Sequence, residues 1–163
     1  FEDNADASVN LRREATARGV DAQRLVFAPR MDLERHLARH RCADLFLDTL
    51  PCCAHTGASD ALWAGLPLLT CLGATFTGRV AASVLSAAGL PELITTTAAE
   101  YEARALELAT SPVQLGAIRN RIADTIGSSA LYDTARHCRH LETAYTTIWQ
   151  RHLRGGSPRA FRV

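Results

Sequence analysis

Apolar residues gather in four short runs within the first hundred positions: RLVFAP at 24–29, DLFLDT at 44–49, LPLLTC at 66–71 and ELITTT at 92–97. Runs of this length, bounded by turn-forming and polar residues, read as buried strands. Between them the apolar positions recur at helical spacing, in DLERHLARHRCA from Asp32, GASDALWAG ending at Gly65, and TGRVAASVLSAAG from Thr77 to Gly89. Strands alternating with helices through short connections predict a parallel sheet with right-handed crossovers, one half of a doubly wound α/β fold. Ahead of the first run, ASVNLRREATARG from Ala7 to Gly19 predicts a helix closed by a left-handed glycine. Beyond Thr97 the pattern turns helical, in AAEYEARALELATS, SPVQLGAIRNRIADTIGS and DTARHCRHLETAYTTIWQRHL, with Ser111 or Asp133 as caps and Pro112 allowed in a first turn. Leu62 and Trp63 are expected to pack inward. Leu141, Tyr145, Ile148 and Trp149 form a stripe expected to cover the sheet or reach toward a partner lobe. The whole reads as one compact lobe over residues 1–154, followed by a flexible basic tail over 155–163.

Composition narrows this picture. With 163 residues and 47% hydrophobic content the chain can bury a substantial core. A net charge of +1 gives no broad field for nucleic acid or anionic lipid, and no apolar run approaches the roughly 20 residues of a membrane span, so a soluble protein with neither partner is expected. The chain opens on Phe1 without a charged-then-apolar leader, which predicts no secretory signal and a piece of something longer. All 18 basic residues are arginine, so a bound anion would meet guanidinium forks, imidazole or backbone amides rather than an ammonium. That bias, alongside many alanines, also reads as the record of a GC-rich bacterial genome. Cys42, Cys52, Cys53, Cys71 and Cys138 are odd in number and contain no CxxC pair, which points to reduced thiols in a cytoplasm rather than to disulfides or a zinc ribbon.

In a doubly wound sheet, ligands sit beyond the carboxyl ends of the strands. There the segment PCCAHTGASDALWAG, residues 51–65, carries the chain from the second apolar run into a helix expected to begin near Thr56 or Gly57. First-turn amides and the positive end of the helix dipole suit a phosphate, Gly57 and Ala58 leave room for it, and His55 and Thr56 add donors. Asp60, one turn on, is placed for a ribose hydroxyl pair. The same spacing also fits a capping threonine followed by a solvated acid, and it leaves the two readings open. At the end of the first apolar run, Arg30 falls at the same rim, followed by His36 and Arg39 on one helix face. His36 and His40 are also neighbours at helical spacing, but no third ligand is evident and no metal site is expected.

Residues 27–85, FAPRMDLERHLARHRCADLFLDTLPCCAHTGASDALWAGLPLLTCLGATFTGRVAASVL, resemble the carboxyl-terminal catalytic lobe of the O-linked N-acetylglucosamine transferase and SPINDLY-like family. LFLDT, AHTGASDALWAG and GRVAASVL occur in order and at family-like separation, and the flanking helices match in kind. The resemblance implies a Rossmann-like lobe, the carboxyl-terminal half of a GT-B glycosyltransferase, usually preceded by a second lobe and tetratricopeptide repeats. It implies inverting transfer of a sugar, N-acetylglucosamine from its UDP donor, to Ser or Thr hydroxyls of proteins, with no cofactor and no metal. It makes His55 and Thr56 diphosphate ligands and Asp60 the ribose ligand. Gly57 stands where many relatives have a second threonine, so backbone amides serve there instead. His36 would lie against the base, Arg39 would help hold the nucleotide, and Arg30 with the backbone near Met31 would edge the base pocket. In such enzymes the candidate catalytic groups belong to the other lobe and a phosphate-binding lysine lies upstream of where this chain begins, so no catalytic residue is assigned. A non-catalytic nucleotide-binding or protein-interaction domain on the same fold is the competing expectation. A receiver-like switch domain would need an acidic cluster at the strand ends, which is not found.

Overall fold

The computed structural model describes residues 4–163. The chain divides into two compact units, one through Arg39 and one from His40.

In the first unit, helix α1 (Ala5–Ala17) starts behind Asn4, whose side chain accepts from the Ala7 amide at 2.7 Å. Gly19 follows it at φ +75°, the left-handed stop expected at that position. A 3-10 turn (Ala22–Arg24) comes next, and Arg12 of α1 ties the unit together by donating to the Ala22 carbonyl and stacking 5.0 Å over the Phe27 ring. The strand expected over 24–29 does not form. Leu25 has extended dihedrals, φ −83° and ψ 104°, yet the described residues of this unit contain no second strand to complete a ladder, and Val26 is 88% exposed. Helix α2 (Leu33–Arg39) begins behind Asp32, whose carboxylate accepts from the Arg35 amide at 2.9 Å. It is shorter than the periodicity suggests, and residues His40–Cys42 tighten into a 3-10 turn.

The second unit holds the sheet. Strands β1 (Phe46–Leu47), β2 (Leu68–Cys71) and β3 (Ile94–Thr95) lie in the order β1-β2-β3, all parallel. Phe46 pairs with Leu68, and Thr70 with Ile94. Every residue of β2 is buried, as its unbroken apolar run requires of a central parallel strand. Helix α3 (Thr56–Trp63) connects β1 to β2, and helix α4 (Val80–Ala87) lies between β2 and β3. Ala58, Ala61 and Leu62 of α3 are the inward positions, spaced i, i+3 and i+4. Trp63 lies one step past that stripe, so it is 55% exposed rather than inward, its ring 5.0 Å from that of Tyr132. The core gathers Leu62, Leu68, Leu85, Leu93, Leu108 and Ile122 around β2.

Helices α5 (Ala98–Thr110), α6 (Pro112–Thr125) and α7 (Thr134–Leu153) complete the unit. Ser111 caps α6 ahead of Pro112, and Asp133 caps α7, both at the expected positions. Leu141, Tyr145, Ile148 and Trp149 do share a helical stripe, but all four are exposed and do not cover the sheet. Residues after α7 run alongside it, with Arg151 donating to the Arg159 carbonyl at 2.9 Å and stacking 5.1 Å over Phe161.

Candidate functional site

Strand β1 ends at Leu47, and eight residues, 48–55, then lead to α3, the first of them Asp48. Asp48 is only 7% exposed, and it organises that loop. One carboxylate oxygen accepts from the Thr49 amide at 2.9 Å and the Ala54 amide at 2.7 Å, and the other accepts from the Thr70 hydroxyl at 2.6 Å. The Asp48 carbonyl accepts from the Tyr101 hydroxyl at 2.8 Å, and burial, with Asp48 beside it, pushes the Tyr101 phenol above its ordinary value. Within the loop the Thr49 hydroxyl donates to the Cys52 carbonyl at 2.9 Å.

A second loop, between β2 and α4, supports the first. Cys53 donates its amide to the Thr77 carbonyl at 3.0 Å and its thiol to the same oxygen at 2.8 Å, while its sulfur accepts from the Ala81 amide at 3.3 Å. The loops meet at Gly78, against which Gly73 of the same loop packs, because side chains would not fit there. A Cβ on Gly78 would lie 3.0 Å from the Pro51 carbonyl oxygen, and one on Gly73 would lie 3.0 Å from Gly78 backbone.

Above this floor stands the start of α3. His55 is its N-cap by position but provides no side-chain cap. Its Nε2 lies 3.3 Å from the Thr77 carbonyl, and Phe76 meets its ring edge-on at 6.2 Å. Thr56 is exposed, and a Cβ on Gly57 would meet only Ala54 Cβ, at 4.0 Å, so the space over the first turn is open. The helix begins at Thr56 as expected. Asp60 is half-buried one turn along. Beside it, Tyr132 donates its hydroxyl to the Ser59 carbonyl at 2.6 Å, strapping α3 from a segment 73 residues away. Burial raises the Tyr132 phenol above its ordinary value, and the Ser59 hydroxyl, donating to the phenol oxygen at 3.3 Å, partly opposes this.

In the first unit, Arg30, Met31, His36 and Arg39 line a hollow of about 320 Å³. Arg39 is steadied by donating to the Pro29 carbonyl at 3.0 Å. The candidate residues therefore form two sets, these four in the first unit and His55, Thr56, Gly57 and Asp60 around the start of α3 in the second. Asp48, Thr77, Tyr101 and Tyr132 were not foreseen. For Asp48 a signal existed, an acid closing an apolar run at the carboxyl end of a strand. The others declare themselves only through contacts distant in sequence. Among the described residues no three of His, Cys, Asp and Glu converge as metal ligands, and no helix is long and apolar enough to cross a membrane.

A parallel sheet with helices between its strands, and a helix start laid open after the first of them, defines a Rossmann-like α/β unit. The chain matches the model of Glycosyl transferase family 41 over residues 4–141, and it belongs to that family. It is 35% identical over 90% of its length to a Caenorhabditis elegans protein named UDP-N-acetylglucosamine--peptide N-acetylglucosaminyltransferase. It is 33% identical over 98% of its length to the Arabidopsis thaliana protein SEC, named as a probable enzyme of the same kind. A solved O-GlcNAc transferase mutant from Thermobaculum terrenum superposes on 90% of the chain with a TM-score of 0.84 and 34% identity. The chain spans 13% and 16% of the two curated relatives' lengths, and 28% of the solved chain.

Proposed function

We propose that this chain is the donor-binding lobe of a protein O-glycosyltransferase, which binds UDP-N-acetylglucosamine and supports inverting transfer of the sugar to Ser or Thr hydroxyls. The observation that carries the reading is the open first turn of α3, flanked by His55 and Thr56 and followed by Asp60. Free amides at that end of the helix hold the diphosphate, with the His55 imidazole and Thr56 hydroxyl as further donors. They also stabilise the charge that develops on the departing nucleotide diphosphate, which is where a metal-free transferase needs help. Asp60 holds the ribose hydroxyls. His36, Arg39, Arg30 and the Met31 backbone recognise the base. In this reading, groups that align the acceptor oxygen belong to an upstream lobe accompanied by tetratricopeptide repeats. The names of the relatives favour the transferase over a non-catalytic domain. Five free cysteines suit a reducing cytoplasm, and arginine in place of lysine suits a bacterial source.

Calorimetric titration with UDP, uridine and pyrophosphate tests the assignment. His55→Ala weakens UDP and pyrophosphate by about ten- to a hundredfold, the equivalent of one charge-assisted contact, and leaves uridine unchanged. Asp60→Ala does the reverse, losing uridine while pyrophosphate still binds. Absence of a saturable UDP signal at millimolar ligand, or indifference of both substitutions, overturns the reading.

A further inference from the structure

A carboxylate is expensive to bury and remains only where donors surround it. Asp48 meets that condition with three: the Thr49 and Ala54 amides on one oxygen and the Thr70 hydroxyl on the other. Thr49 and Ala54 bracket the loop and Thr70 lies on β2, so this one side chain fastens both ends of the loop to the central strand. Ala54 is the residue before His55. Fixing its amide therefore sets the direction in which the chain enters α3 and where the first free amides of that helix point. An apolar residue of the same size would leave the part-buried hydrogen bonds of the Thr49 and Ala54 amides without their acceptor, and the loop would move to satisfy those donors.

We infer that Asp48 is the positioning residue for diphosphate binding: it does not touch the ligand, but it holds His55, Thr56 and the open amides of α3 in the geometry that does. This rests on the assignment of that helix start to the diphosphate. Its negative charge is turned into the three donors and contributes nothing favourable to an anion, so the hydrogen bonds, and not the charge, are what the site needs. Asp48→Asn separates these, because its carbonyl still accepts both amides while its NH₂ donates to a Thr70 hydroxyl turned to accept.

Pyrophosphate, UDP and uridine are titrated into the full chain and four variants, with melting temperature measured beside each. In Asp48→Ala, pyrophosphate and UDP weaken by about tenfold or more while uridine is unchanged, the signature of misplaced rather than missing ligands. In Asp48→Asn both stay within about threefold of the unsubstituted chain. Leu85→Ala, a core truncation on α4, lowers the melting temperature yet leaves pyrophosphate affinity alone. If Asp48→Ala does not fold, Thr70→Val decides: freeing one carboxylate oxygen weakens pyrophosphate about threefold with uridine unchanged. The inference fails if Asp48→Ala binds pyrophosphate normally, if Asp48→Asn loses as much as Asp48→Ala, if Leu85→Ala loses as much as either, or if Thr70→Val changes nothing. Failure of the unsubstituted chain to bind UDP overturns the diphosphate assignment itself, and this inference with it.

Discussion

Helices α3 and α5 begin in opposite ways. At α5 everything is local: the Thr97 hydroxyl accepts from the Glu100 amide at 3.1 Å, and the Glu100 carboxylate accepts from the Thr97 amide at 3.2 Å and the Thr96 amide at 2.8 Å. That is a closed capping box, with the first-turn donors satisfied by residues inside a five-residue window. At α3 the cap position is occupied by His55, which closes nothing, and order comes from Asp48, Thr77 and Tyr132. A helix start whose first turn is left open is not plugged by its own side chains. Its fixation has to be moved to tertiary contacts, and its stability then depends on loops rather than on the local sequence.

The largest expected effect tests that dependence. Gly78→Ala places a methyl 3.0 Å from the Pro51 carbonyl oxygen and 3.1 Å from Gly73 Cα, both backbone atoms that cannot rotate away. Separating the two loops costs about 1–3 kcal/mol, as overpacking generally does. Thermal unfolding should register this, and pyrophosphate titration should show weaker binding in the same variant. An unchanged melting temperature would mean the loops are slack and the contrast with α5 is overstated.

Next in size is a pair of threonines compared directly. Thr97→Ala removes a side-chain cap and costs about 1 kcal/mol of stability without touching nucleotide affinity. Thr56→Ala removes an exposed hydroxyl that caps nothing, so stability changes by less than about 0.5 kcal/mol. Its UDP affinity nevertheless falls by about tenfold, the loss of one hydrogen bond to a charged group. Exchange of these outcomes between the two positions would reverse the comparison.

What was legible in the sequence follows the same division. The caps Ser111 and Asp133 are readable because a cap and its amide are three residues apart, while the start of α3 at Thr56 is readable from the helical spacing that follows it. Three of the four apolar runs are strands of the sheet. The fourth, at 24–29, is not, since an apolar run says nothing about whether a partner strand is available. Hydrophobicity alone turns Trp63 inward, whereas the stripe of Ala58, Ala61 and Leu62 leaves it on the flank. The apolar stripe of α7 is real, but its period fixes only a shared face and not what covers that face. Asp48 is marked in the sequence only as an acid closing an apolar run; its role is not legible there, because its partners come from positions 54, 70 and 101, and only the folded chain brings them together.

The smallest effect concerns the local end of the comparison, and it is a matter of pH. The Thr96 amide first, then its hydroxyl, hold the Glu100 carboxyl below its ordinary value. A carboxyl whose value is lower folded than unfolded adds stability that is complete above the unfolded value and disappears as pH falls through the folded one. The unsubstituted chain should therefore be slightly more stable than Glu100→Gln near neutrality, because glutamine still accepts from the amides but without charge. The gap should close on acidification through and below the carboxylate range, where protonated Glu100 resembles the amide. The group is fully exposed and screened by solvent, so the gap is small. Paired melting curves from neutral pH downward decide it: a gap that persists unchanged in acid would show that the charge of Glu100 does not hold the start of α5, and that this helix too relies on contacts from elsewhere in the fold.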